Sequence, residues 1–125
     1  MLIKGVLIDV ENNIAESVEI EATLDNYYKL LNCDVIDIVN REINGKRFDI
    51  VCDDEGLLKE NPKISALDLQ YKPTLVGNLF VCHVDVTGQE CSLSEEEINH
   101  ILECVRLLGT RKHPTPYPML TKVNY

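Results

Sequence analysis

Asn44-Gly45 separates two β-rich runs, Val35-Ile-Asp-Ile-Val39 and Phe48-Asp-Ile-Val-Cys52. A two-residue type I′ turn needs positive φ at both central positions, and Asn-Gly adopts it at the least cost. The pair therefore predicts an antiparallel hairpin. On its second strand, residues 47 to 52, the period of two puts Phe48, Ile50 and Cys52 on one face, toward the core, and Asp49, Val51 and Asp53 on the other. Everything from Arg47 to Asp85 reads as the centre of the fold. After this strand come an acidic turn, Asp53-Asp-Glu-Gly56, and an irregular crossing, Leu57 to Tyr71, interrupted by Asn61-Pro62. The run Leu75 to Val84 is nearly continuous in apolar residues, as expected of a central strand or one covered on both faces. Gly77 within it predicts a bulge or a close backbone approach.

The flanks fit around this centre. Leu2 to Val10 reads as a strand. Val18, Ile20 and Ala22 alternate with Glu19 and Glu21 as a half-buried second strand, giving an N-terminal hairpin. Thr23 is a helix N-cap, and Leu24, Tyr27, Tyr28 and Leu31 share one helical face that stops near Asn32. The tyrosines read as core packing with their hydroxyls at the rim. Ser94 and Glu97 form a capping box, with Leu93 and Ile98 at the staple positions. The stripe Ile98, Ile101, Leu102, Val105 and Leu108 extends that helix to Gly109. Arg111 to Pro118 contains three prolines. It predicts a tail without regular structure through Pro118, in which Tyr117, Met119, Leu120 and Tyr125 are not all left in water. The expected class is α+β: a mostly antiparallel sheet of about five strands with the two helices packed on one face. The order is β-β-α-β-β-β-α. Residues 1–109 form the single domain, and residues 110–125 the proline-rich C-terminal tail.

Charge and cysteine usage narrow the function. The formal net charge is −9, and only Lys46-Arg47 and Arg111-Lys112 are adjacent cations. An acidic surface without a basic patch repels phosphate, so direct nucleic-acid binding is not expected. No run reaches the roughly 20 apolar residues of a membrane span, and the N-terminal apolar run is short for a signal peptide. Five cysteines without framework spacing suit a reduced, cytoplasmic protein. Mimicry of DNA is a special case for an acidic chain. It needs carboxylates spaced like phosphates, here Asp9, Glu11, Glu19, Glu21, Asp34, Asp37, Asp49 and Asp53.

Phosphate-loop, dinucleotide-binding, Gly-x-Ser-x-Gly and His-Glu-x-x-His patterns are absent from the sequence. Calcium is not expected at Asp53-Asp54-Glu55, because Val51 occupies the first EF-hand ligand position; the turn reads as solvated. His100 and Cys104 share a helical face, but one pair falls short of a zinc site. Cys82, Cys91 or Cys52 with His83 or His100 is the weakest reading, a hydrolase, since strand cysteines are usually inert. No cofactor and no metal is expected. The candidate partner- or ligand-binding residues are Asp53, Asp54, Glu55, Gly56, Asn61 and Gly77.

Leu24-Asp-Asn-Tyr-Tyr-Lys-Leu-Leu31, Val35 to Val39, Ile50-Val-Cys-Asp-Asp-Glu-Gly-Leu57, Asn61-Pro62, Leu75-Val-Gly-Asn-Leu-Phe-Val81 and Ser92-Leu-Ser-Glu-Glu-Glu97 occur in an order that resembles the domain of unknown function 3846 family. The resemblance covers residues 1 to about 109. It implies an address on bacterial phages and conjugative elements and carries no catalytic residues. The reading is a non-enzymatic accessory protein of such an element, acting by protein binding, against host defence in one version, with a protein partner or a homodimer and no membrane. The alternative is a small-molecule or nucleotide binder, with Gly56, Asn61 and Gly77 lining a cleft.

Overall fold

The computed structural model describes residues 1–125. In chain order the elements are β1 (Leu2–Asp9), β2 (Ile14–Glu21), α1 (Leu24–Leu31), β3 (Ile36–Ile43) and β4 (Lys46–Asp53). There follow a 3-10 turn (Gly56–Leu58), β5 (Ile64–Leu67), β6 (Pro73–Val76), β7 (Leu79–Val84), β8 (Glu90–Cys91), α2 (Glu95–Leu102), β9 (Val105–Leu108), β10 (Tyr117–Leu120) and β11 (Val123–Asn124). The class is α+β, and strand pairing is mostly antiparallel.

The Asn-Gly hairpin forms as its chemistry dictates: Asn44 has φ 47° and Gly45 φ 89°, and β3 pairs with β4 from Ile43↔Lys46 to Ile36↔Asp53. The N-terminal hairpin pairs β1 with β2 along its whole length. The large sheet runs β11-β3-β4-β7-β1-β2, with β8 added to the end of β7. A second sheet, β6-β5-β10-β9, contains the one parallel contact, between β10 and β5 at Leu120↔Ala66. Eleven strands in two sheets thus replace the expected five or so in one.

The two helices do not share a face. Ile3 and Leu7 of β1, Val51 of β4 and Phe80 and Cys82 of β7 pack with Tyr27 and Leu31 of α1 on one side of the large sheet. Val6, Ile8, Phe48, Ile50, Leu79 and Val81 point to the other side. There they meet Ile98 and Ile101 of α2 and the inner face of the small sheet. The placement on one face is corrected to three layers, because the central strands are apolar on both sides and each face must be covered. Tyr27 is fully enclosed, its hydroxyl included, so it does not reach the rim.

Three further boundaries differ from expectation. The apolar run from Leu75 to Val84 is two strands: β6 belongs to the small sheet and β7 to the large one. Gly77, at φ 76°, makes the break, a backbone state that an L side chain adopts at a cost. α2 stops at Leu102, and Val105–Leu108 is β9, so the stripe from Ile98 to Leu108 spans a helix and a strand. The proline-rich segment is no appendage and is regular before Pro118 is passed. Tyr117–Leu120 is buried between β5 and β9, and Val123–Asn124 pairs with β3. Prolines tolerate this because β10 pairs over only a few residues and one of its contacts is a single bridge.

Candidate functional site

The acidic turn sits where both sheets and α1 approach one another, and two depressions share it as a wall. The first is a polar cleft with a cavity volume of ≈ 80 Å³. Asp53, Gly56, Asn61 and Gly77 line it together with Lys59 and Lys63. Four of the six sequence-derived candidates are therefore neighbours in space, although they are spread from position 53 to position 77. Local chemistry explains the gathering. β4 delivers Asp53, whose side chain is only 4% exposed and binds Lys59 Nζ at 2.8 Å. That ammonium also donates to Asn32 O at 2.6 Å, satisfying a carbonyl at the end of α1. The Asp53 hydrogen bond raises the Lys59 pKa above its ordinary value. Asp53 is thus a buried half of an ion pair, not part of a solvated turn.

Asn61 is left-handed at φ 53°, which sets Pro62 at the mouth of the cleft. Asn78 closes the back: its Oδ1 accepts from Val10 N at 2.9 Å and its Nδ2 donates to Leu30 O at 3.5 Å. Lys63 Nζ reaches Val10 O at 3.4 Å and lies 5.2 Å from the centre of the Tyr117 ring.

The second depression is an apolar groove of ≈ 510 Å³ between the 3-10 turn and β6. Leu57 and Leu58, 78% and 80% exposed, form one bank, and Pro73 to Val76 the other. Asp53 and Asp54 stand on its rim, with no cation among the lining residues. Gly56 is required here: a Cβ would come within 2.9 Å of Val76 Cγ2. Asp54 thus belongs to the groove, whereas Glu55 lines neither depression. Leu57, Leu58, Lys59, Lys63, Asn78 and β6 went unremarked in the sequence as site residues. The usable signal was the adjacent Leu57-Leu58 after an acidic turn, apolar residues with no helical or strand period.

The cysteine–histidine reading finds no activated thiol. Burial pushes Cys82 up to about 12, and Cys91 is raised by burial and then by the Asp85 carboxylate. His83 Nε2 lies 2.5 Å from Glu97 Oε2 and its ring stacks on Phe48, while His100 Nε2 bonds Ile43 O. No three His, Cys, Asp or Glu side chains are grouped to hold a metal. Of the carboxylates that mimicry would array outward, Asp9 is buried on three hydrogen bonds from Glu11 and Asn12, Asp49 accepts from Val84 N and Asn40, and Asp53 is paired. No helix is long and apolar enough to cross a membrane.

Fold and site together define a small two-sheet α+β protein with a polar cleft and an apolar groove on either side of one acidic turn. Residues 3–106 match the family described as Domain of unknown function (DUF3846), and the chain belongs to that family. No curated protein and no solved structure matches it.

Proposed function

We propose that this protein is a non-enzymatic accessory protein that works by holding a partner protein in the groove between Leu57-Leu58 and β6. One observation carries the reading: two adjacent leucines are left almost wholly in water beside an apolar groove. Single exposed apolar residues are ordinary on a protein surface, whereas a contiguous patch with a concave wall marks an interaction site. Charge selects the occupant. Asp54 stands exposed on the rim of the groove, Asp53 being paired with Lys59, and the chain carries −9 overall, so a segment bearing Lys or Arg is favoured and a second copy is repelled. The resemblance to a phage and mobile-element family suggests that such a partner belongs to the element or to its host, including host defence.

The test compares capture by the wild type and by a folded Leu57→Ser/Leu58→Ser variant. A protein retained by the first and lost by the second supports the reading. Capture that is identical for both removes it.

The polar cleft favours the alternative, a small-molecule binder. Its ≈ 80 Å³ is well below the roughly 300–1,000 Å³ of ordinary ligand sites, so a nucleotide does not fit without widening it. Glu11 and Glu60 line it beside Lys63, so a zwitterionic compound of a few heavy atoms suits it better. A rise in melting temperature with a small zwitterion, abolished by Lys63→Met, would favour this reading over the first.

A further inference from the structure

We propose that the partner segment is an amphipathic helix, seated with an apolar stripe between Leu57-Leu58 and β6 and with a Lys or Arg toward Asp54. This rests on the groove being the binding face. The banks present side chains rather than main chain. On one bank the 3-10 turn uses its own groups: Leu58 N donates to Glu55 O at 3.0 Å and Lys59 N to Gly56 O at 3.4 Å. On the other, Pro73 has no N–H, and the register shifts on both sides of Leu75 turn the Thr74 N–H toward Ala66 of β5. An extended occupant would bury its own N–H and C=O groups against apolar walls without partners. A helix bonds its backbone internally and needs only apolar contact, which it delivers at i, i+3, i+4 and i+7.

Length and flanks fit such a segment. The four residues of β6 span about 13 Å, the rise of about nine helical residues. The apolar surface continues at the Pro73 end, where the turn into β6 leaves Leu69 and Tyr71 exposed. Tyr71 is held at φ 60°, a left-handed conformation that a bulky side chain takes only at a cost. Backbone strain that keeps an aromatic ring in water opposes stability, and aromatic residues are the usual anchors of an interface. The opposite end is acidic. A Cβ on Gly56 would come within 2.9 Å of Val76 Cγ2, so the turn that carries Asp54 closes the Val76 end. Asp54 is exposed there with no cation among the groove's lining residues, so the helix brings its Lys or Arg to that end.

The experiment uses the full chain and three peptides of about fifteen residues. The first carries Leu at i, i+3, i+4 and i+7 among Ala and Gln, with Lys at one end. The second differs by one Pro on its outward face, which breaks the helix. The third has Glu in place of Lys. Leucine methyl shifts and peptide helicity are followed on titration. The first peptide is expected to bind about tenfold more tightly than the other two, to gain helicity and to shift the Leu57, Leu58 and Leu75 methyls. Asp54→Asn should weaken it severalfold without lowering the melting temperature. Tyr71→Gly should weaken it severalfold while holding or raising the melting temperature, because glycine relieves the positive φ. Equal binding of the proline peptide, or binding without a gain in helicity, overturns the helix but leaves the groove reading standing. Equal binding of the glutamate peptide overturns the basic partner. Binding that survives Leu57→Ser/Leu58→Ser removes both the helix and the groove. Failure of all three peptides to bind at millimolar concentration overturns the proposal. A dimer in sedimentation that Leu58→Ser dissolves overturns it in favour of a second copy.

Discussion

At the scale of single residues, Asn78 ties the site to the fold. It interrupts the most apolar run of the chain, and in the sequence it looks like a blemish in a strand. In space it follows the break where the chain changes sheets, and its amide binds the backbone of Val10, just past β1, and of Leu30 in α1 at once. The need for such a group comes from partners 68 and 48 positions away, which no local pattern encodes. Asn78→Ala leaves the Val10 N–H buried without a partner, so it should cost about 1–3 kcal/mol in urea unfolding. Asn78→Asp retains the acceptor and should cost less. An Ala variant within about 0.5 kcal/mol of wild type would mean that water replaces the amide. Gly56 and Asn61 were legible as turn residues, from the glycine that ends an acidic run and the Asn-Pro pair, although Gly56 is not at positive φ and is needed instead because Val76 leaves no room for a Cβ. That they meet Gly77 was a matter of tertiary placement.

At the scale of elements, local signals were read well at starts and poorly at ends. The capping box of α2 is present in full: Ser94 Oγ accepts from Glu97 N and Glu97 Oε1 from Ser94 N. Its end escaped notice because Val105 and Leu108 continue the helical period. They are drawn into β9 by β10, a strand supplied by residues that composition marked as a tail. Glu97 has a second partner in His83, which clips α2 to the end of β7. Burial pushes the Glu97 carboxyl up, yet the Ser94 N–H and His83 outweigh it, and the net shift is downward. A carboxyl depressed in the fold contributes stability that is complete above its ordinary value of 4.5 and is lost as the pH falls through the folded value. The melting temperature should therefore fall as the pH drops below the ordinary value of 4.5, and less steeply in Glu97→Gln, which keeps the capping box but not the charge. Parallel pH profiles for the two proteins would assign the acid sensitivity to other carboxylates.

At the scale of the whole molecule, the two faces of the large sheet decide the architecture. In the structure β1 and β7 bury apolar residues on both sides and β4 adds Val51 to its second face, so two layers are needed, yet the sequence offers only two short helices. The second layer is completed by the C-terminal residues, whose pairing partners are β5, β9 and β3. Removal of residues 110–125 therefore does more than free an arm. It takes away Tyr117, Met119, Leu120 and Val123, all within the main core, and leaves β5 and β9 without the strand between them. Truncating one buried Leu or Met to Ala costs about 2–5 kcal/mol, against a total stability of about 5–15 kcal/mol for a domain. Chain ending at Gly109 should thus lack dispersed amide resonances and a cooperative melting transition. Deletion of Tyr125 alone is the control: its side chain is 78% exposed and meets Arg41 across 4.3 Å, so the loss should be within about 1 kcal/mol. A truncated chain that stays monomeric and melts cooperatively would show that residues 1–109 close their own core, and β10 would then be a latch over the small sheet instead of its centre.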